Sequence, residues 1–259
     1  MCYEPDSRPP IRPIAGAAID GRELELTSGD GAHFQAFVAD APTPTGAGVV
    51  ILPDVRGLHD FYRELALRLA EAGVDALAID YFGRTAGVDP RPADFEFMPH
   101  VQQTRYAQLR EDVRAGAEAL RHSRPAVHAV FTIGFCFGGR LAFLSATRGE
   151  LGLAGAIGFY GVVAGPGRAE MPPPLELAGE VRVPVLGLFG GEDLGIPPES
   201  VEQYRLALGA AGVEHELVVY PGAPHSFFDR KAEQFADESA DAWRRVLKFI
   251  QSRAAASSR

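Results

Sequence analysis

Hydrophobic and polar positions change rhythm along this chain. Residues 22–27, Arg-Glu-Leu-Glu-Leu-Thr, alternate polar and apolar side chains. A second such run at 33–38 follows the turn-forming Ser28-Gly29-Asp30-Gly31, so the pattern predicts a β-hairpin. Beyond residue 47 the alternation gives way to short continuous apolar runs at 48–52, 74–79, 128–133, 154–159, 183–189 and 216–220. Runs of that kind are strands covered on both faces. Stretches with helical spacing lie between or after them: 60–72 with Leu65, Leu69 and Ala72, 104–122 with Leu109, Val113 and Leu120, 198–211 with Val201, Tyr204 and Leu208, and 232–251 with Phe235, Trp243, Leu247 and Ile250. Strands alternating with helices predict an α/β fold, a single doubly wound and mostly parallel sheet with an N-terminal hairpin.

The ends and two internal segments stand outside this rhythm. Pro5, Pro9, Pro10 and Pro13 deny residues 1–15 a regular ladder, so they read as an extended arm. The domain then runs over 16–253, and 254–259 reads as a frayed, disordered tail. Segment 84–103 carries Pro90, Pro92 and Pro99 among Phe95, Phe97 and Met98, and it follows the C-terminal end of a strand, where ligands bind in such sheets. It fits no regular element and is expected to form a pocket wall rather than a disordered stretch. Segment 164–182, with Pro166 and the run Pro172-Pro173-Pro174, reads as a surface connection.

Composition narrows the function classes. The chain has 259 residues, 46% of them hydrophobic, which is enough for one core without staples. With 25 Lys+Arg against 34 Asp+Glu the net charge is −9, the wrong sign for a phosphate backbone, so no nucleic acid is expected as partner. No apolar run reaches the ~18 residues that a membrane span needs, and the start lacks the basic-then-apolar order of a secretory signal. A cytoplasmic protein is expected. Two cysteines, Cys2 and Cys136, make neither a disulfide framework nor a zinc site. There is no CxxC and no histidine pair at ligand spacing, and Asp229, four residues after His225, has no third ligand nearby; neither metal nor cofactor is expected.

The chemistry concentrates in Ile133-Gly134-Phe135-Cys136-Phe137-Gly138-Gly139, between a strand and the helical run 140–147. This is the Gly-x-nucleophile-x-Gly elbow, with Cys as nucleophile. A sharp strand-to-helix turn needs small residues two before and two after the nucleophile, and a helix N-terminus favours a thiolate. The competing reading, Cys136 as a small core residue, leaves the flanking glycines unexplained. In this arrangement an acid and then a base follow along the chain. Asp193, after the strand at 183–189 in Gly190-Gly191-Glu192-Asp193, is the expected acid, with Glu192 its competitor. His225, in Pro224-His225-Ser226-Phe227 after the next strand, is the expected base. The oxyanion donors are expected to be the backbone N–H groups of Phe137 and of Val55, the latter in Pro53-Asp54-Val55-Arg56-Gly57. Phe95, Phe97, Phe135, Phe137, Phe227 and Phe228 suggest an apolar pocket, with Phe135 the best fitted of them to the core.

Over about residues 32–250 the elbow, the Gly190–Asp193 turn, the His225 loop and Asp80-Tyr81-Phe82-Gly83-Arg84 together resemble the dienelactone hydrolases of the α/β-hydrolase superfamily. The resemblance implies the single-domain α/β-hydrolase fold. It also implies hydrolysis of a small cyclic enol-lactone through an acyl-cysteine, without a metal; the chain itself is expected to act as a monomer or homodimer. Arg84 matches a family arginine that binds the substrate carboxylate. Two positions depart from the pattern. Asp54 stands where the family has Glu in contact with the thiol, and being one methylene shorter it either reaches Cys136 or only shapes the oxyanion loop. The family's second carboxylate-binding arginine falls at Asp229, with Arg230 beside it as the substrate-binding candidate. Two other readings compete with a lactone hydrolase: a general carboxylesterase for neutral esters, and a non-catalytic ligand-binding relative. A redox role for Cys136 would have only Cys2 as resolving partner.

Overall fold

The computed structural model describes residues 7–14, 20–92 and 94–257. The alternating runs pair as a hairpin, β1 (Gly21–Thr27) against β2 (His33–Ala39), with Thr27 opposite His33. The turn closes where Ser28 N–H donates to the Ala32 carbonyl and Gly31 adopts a φ of 82°. The continuous apolar runs become β3 (Ala47–Leu52), β4 (Asp75–Ile79), β5 (Ala129–Phe135), β6 (Leu153–Phe159), β7 (Val185–Gly190) and β8 (His215–Tyr220). They complete an eight-stranded sheet in the order β1-β2-β4-β3-β5-β6-β7-β8, antiparallel at β1–β2 and β2–β4 and parallel elsewhere.

Period-2 geometry explains why these strands are apolar throughout. In β3, Val49 and Ile51 enter one core cluster with Leu65 and Leu69 of α1 (Asp60–Glu71), while Val50 and Leu52 enter the other with Leu109 and Val113 of a long helix at Tyr106–Ser123. Each face of the sheet therefore has its own helical cover.

Three expectations are corrected. Segment 84–103 is not free of regular structure: it contains α2 (Gly83–Ala86) and α3 (Phe97–Gln103), which precede α4 (Tyr106–Ser123). Pro99 is the third residue of α3, in the first turn, where its missing N–H has no intrahelical acceptor to lose. Segment 164–182 is not a plain connection either, for it holds 3₁₀ turns at Arg168–Glu170 and Pro174–Glu180. The remaining helices are α5 (Phe137–Ser145), α6 (Pro198–Ala210) and α7 (Ala236–Ser257). Helix α7 runs through 254–257, where a frayed tail was expected, because Ala254 is buried and its carbonyl accepts a hydrogen bond from the His128 ring. Residues 7–14 follow no regular element, and Ile14 N–H donates to Glu71. The rest of the expected arm, 1–6 and 15, lies outside the described residues. Among the described residues no helix is long and apolar enough to cross a membrane.

Because β3, β5, β6, β7 and β8 are parallel, the loops that leave their C-terminal ends share one edge of the sheet. Val55, Cys136, Asp193 and His225 follow the C-terminal ends of β3, β5, β7 and β8 at that edge, whereas Arg84 lies in α2 after β4.

Candidate active site

Cys136 is the residue between β5 and α5, with φ 55° and ψ −109°. An L-residue avoids such a backbone unless its surroundings force it. Here the forcing is visible. Cys136 N–H donates to the Phe159 carbonyl of β6 at 3.0 Å, and its own carbonyl accepts the Arg140 N–H at 3.1 Å, which starts α5. The glycines fit the steric argument. A Cβ on Gly134 would lie 1.9 Å from the Gly138 carbonyl oxygen, and one on Gly138 would lie 2.0 Å from that of Leu52. Cys136 is half-buried at the end of the central strand, with the first N–H groups of a nine-residue helix beside it.

Asp193 and His225 are brought together. His225 Nδ1 lies 2.6 Å from Asp193 Oδ2, and Asp193 Oδ1 accepts the Gly195 N–H at 2.9 Å. A carboxylate only accepts, so the imidazole proton belongs on Nδ1 and Nε2 is the unprotonated ring nitrogen. Glu192, the competing acid, is exposed, while Asp193 is buried. The two loops are tied to each other: Gly191 N–H donates to Tyr220 and Glu192 N–H to Ala223.

Val55, Cys136 and Phe137 line one cavity of about 190 Å³, closed on its other side by Pro166, Arg168 and Met171. The segment read as a surface connection is thus a wall of this cavity. It is held by Arg140, which donates to the carbonyls of Gly165, Met171 and Pro172 at 2.8–3.2 Å. The segment read as a pocket wall does form one, but around a neighbouring cavity of about 380 Å³, where Phe95 and Phe97 face Arg56, Leu58 and His59. Val55 and Arg56 are consecutive, so the Pro53–Gly57 loop separates the two cavities. The aromatic pocket is much reduced: Phe137 lines the Cys136 cavity, whereas Phe135, Phe227 and Phe228 are core, with Phe135 stacked on Phe159 at 4.7 Å.

The Val55 loop is held by groups that the sequence reading missed. Asp54 N–H donates to the Tyr62 hydroxyl at 2.9 Å, and the Tyr81 hydroxyl donates to the Pro53 carbonyl at 2.8 Å. The buried Asp54 carboxylate accepts the Arg56 N–H at 2.8 Å, a bond within the Pro53–Gly57 loop. Buried tyrosines in place of Phe were the available signal, since a buried hydroxyl needs a partner. A second such group is Tyr160, at φ 38°, whose ring packs 4.8 Å from that of His225 and whose hydroxyl donates to Asp229 at 2.8 Å. Burial pushes the Asp229 carboxyl up to about 7. The Arg230 N–H and the Tyr160 hydroxyl pull the other way, the Asp54 charge adds to the rise, and His225 opposes it.

Arg84, the carboxylate-binding candidate of the resemblance, is engaged by two acids of its own chain. Its guanidinium pairs with Asp112 at 2.7 Å and Asp30 at 2.9 Å, and it does not line the Cys136 cavity. The physical reason is Asp112, which is fully buried: burial pushes that carboxyl up, and Arg84 and Ser28 draw it back. Arg230 is exposed and likewise does not line the cavity. Among the described residues no cluster of three His, Cys, Asp or Glu side chains could hold a metal ion.

Comparison with known proteins adds a lineage to this geometry. The model of the dienelactone hydrolase family matches residues 34–254. A protein of Escherichia coli (strain K12) named for carboxymethylenebutenolidase activity is 32% identical over 226 residues, covering 85% of this chain and 80% of its own. Among solved structures, a Klebsiella pneumoniae protein named for dienelactone hydrolase superposes with a TM-score of 0.77 at 32% identity, over 90% of this chain and 98% of that one. A dienelactone hydrolase-like promiscuous phosphotriesterase from metagenomic libraries gives 0.72 at 25% identity, over 91% and 99%.

Proposed function

The chain belongs to the dienelactone hydrolase family, and from that premise we propose that it cleaves a small ester or lactone through an acyl-cysteine formed on Cys136. Support comes above all from the strained Cys136 at a helix N-terminus, facing a cavity it shares with Val55 and Phe137. In this reading His225 Nε2 takes the thiol proton and the thiolate attacks the scissile carbonyl. The oxyanion that develops accepts hydrogen bonds from the N–H groups of Val55 and Phe137. The tetrahedral intermediate collapses, the C–O bond breaks, and the leaving oxygen takes the proton from His225. Water, deprotonated by His225, then attacks the thioester and releases the acid with the thiol restored. Asp193, at 2.6 Å from Nδ1, holds the tautomer and stabilises the imidazolium formed in both halves.

A dienelactone-like enol-lactone fits the reading: the cavity of about 190 Å³ exceeds the ~150 Å³ void that takes up a benzene. A second reading, a carboxylesterase for neutral esters, draws support from the engagement of Arg84 with Asp30 and Asp112.

The test compares wild type with Cys136→Ala on cis- and trans-dienelactone, a neutral lactone of similar size and 4-nitrophenyl acetate, and looks by mass spectrometry for an acyl group on the Cys136 peptide after rapid acid quench. The expected result is an acyl adduct in wild type and a loss on the order of 10³-fold or more in the variant. Unchanged rates in Cys136→Ala would refute the mechanism.

A further inference from the structure

The two arginines at the Cys136 cavity are unlike the other basic residues around the site. Arg84 and Arg91 each pair with a buried carboxylate, as an acidic chain of 34 Asp+Glu against 25 Lys+Arg makes easy. Arg140 has no such partner. Its side chain is 3% exposed, it lines the cavity, its contacts are the three carbonyl oxygens of segment 165–172, and its buried Nη1 makes no hydrogen bond among the described residues. Carbonyl dipoles solvate a guanidinium without neutralising it, so a full positive charge stays behind the wall of the cavity. Burial draws the Arg140 pKa down, and the charge of Glu176, which no hydrogen bond or ion pair joins to it among the described residues, opposes that fall.

Arg168 stands on the same wall and is exposed. Among the described residues it makes no ion pair, because the acid two positions on, Glu170, pairs instead with Arg105 at 3.3 Å. Ala169 and Glu170 both adopt left-handed backbone, at φ 55° and 60°, which turns the chain sharply after Arg168. Gly167 leaves room for Arg140: a Cβ there would come within 2.8 Å of the guanidinium.

We propose that Arg168, with the buried, carbonyl-held charge of Arg140 behind it, is the specificity-determining element for an anionic substrate: an ester or lactone that carries a carboxylate a few bonds from its scissile carbonyl. This rests on the hydrolase reading above and assigns its substrate class to residues other than Arg84. Arg168 makes the direct contact, and Arg140 supplies a fixed field and holds the loop. The nucleophile and both arginines border one small cavity, so carbonyl and carboxylate must belong to the same compact acyl group.

The test uses two acyl donors of equal chain length, the mono-4-nitrophenyl ester of glutaric acid and 4-nitrophenyl pentanoate, and reads the ratio of kcat/KM, anionic over neutral, above background. Because the ratio is taken within each protein, a variant's lower folded fraction cancels. Wild type is expected to favour the anionic ester at least tenfold, Arg168→Ala to lose at least tenfold of that ratio, Arg168→Lys to recover part of it, and Arg168→Glu to invert it. A wild type without preference, or a ratio that Arg168→Ala leaves unchanged, overturns the inference while turnover that depends on Cys136 leaves the hydrolase reading standing. Turnover that survives Cys136→Ala removes that reading, and the inference with it.

Discussion

Replacing Asp229 by Asn isolates the energetic consequence of burying one acid behind the site. The carboxyl is 6% exposed, accepts the Tyr160 hydroxyl and the Arg230 N–H, and has its pKa raised from 3.8 to about 7, chiefly by burial. The folded protein therefore holds this proton more tightly than the unfolded chain does. Its contribution to stability is full below pH 3.8 and is lost as the pH rises through 7. A gap of about three pH units at ~1.36 kcal/mol each corresponds to about 4 kcal/mol, of which about 3 kcal/mol is lost between pH 4.5 and 8. Asparagine does not titrate, and the Tyr160 hydroxyl can accept from its amide as readily as it donated to the acid. Urea unfolding of both proteins across that range should show Asp229→Asn gaining on wild type by about 3 kcal/mol as the pH rises. A stability difference that stays within about 0.5 kcal/mol from pH 4.5 to 8 would mean that the carboxyl is already solvated, and the argument from burial would fail.

Two further outcomes follow from the packing. Gly138→Ala places a methyl 2.0 Å from the Leu52 carbonyl oxygen, a backbone atom that cannot swing aside, so the elbow must open; a destabilisation of roughly 3 kcal/mol or more is expected in denaturant titration, and a change below about 1 kcal/mol would show that the turn is looser than described. Arg84→Met strands the fully buried Asp112 without its cation and should cost about 3–5 kcal/mol, most of it recovered when Asp112→Asn is added; a neutral Arg84→Met would return that arginine to the list of substrate contacts.

The layout of the sheet and the elbow were legible because both obey local rules. A strand covered on two faces has to be apolar at consecutive positions, as β3 is from Ala47 to Leu52. A nucleophile turn has to be flanked by residues without side chains, as Gly134 and Gly138 are. Asp193 could be favoured over Glu192 from its place in the turn, and its burial and its bond to His225 agree. Interactions without a local imprint were not legible. Arg84 meets Asp30 and Asp112 across 54 and 28 residues of chain, and nothing near position 84 announces either partner. Tyr62 and Tyr81 look like ordinary core aromatics until the fold brings their hydroxyls to the Pro53–Asp54 backbone. Helices of four and seven residues, such as α2 and α3, are too short for a 3.6-residue period to emerge, and the prolines around them masked the rest.

Backbone strain is distributed unevenly over the described residues. Left-handed conformations at residues other than glycine occur at Cys136, Tyr160, Ala169, Glu170 and Ser226, which are Cys136 itself, neighbours of His225 or part of the cavity wall. Each costs of order 1–3 kcal/mol, borne by the packing of the sheet around it. Selection for heat resistance would therefore meet this protein at its working surface first. Glycine at 169 or 170 would relieve the left-handed strain there, and it would free the stretch of chain that presents Arg168. Durability and discrimination draw on the same few dihedral angles, so a lineage that improves one by this route gives up part of the other.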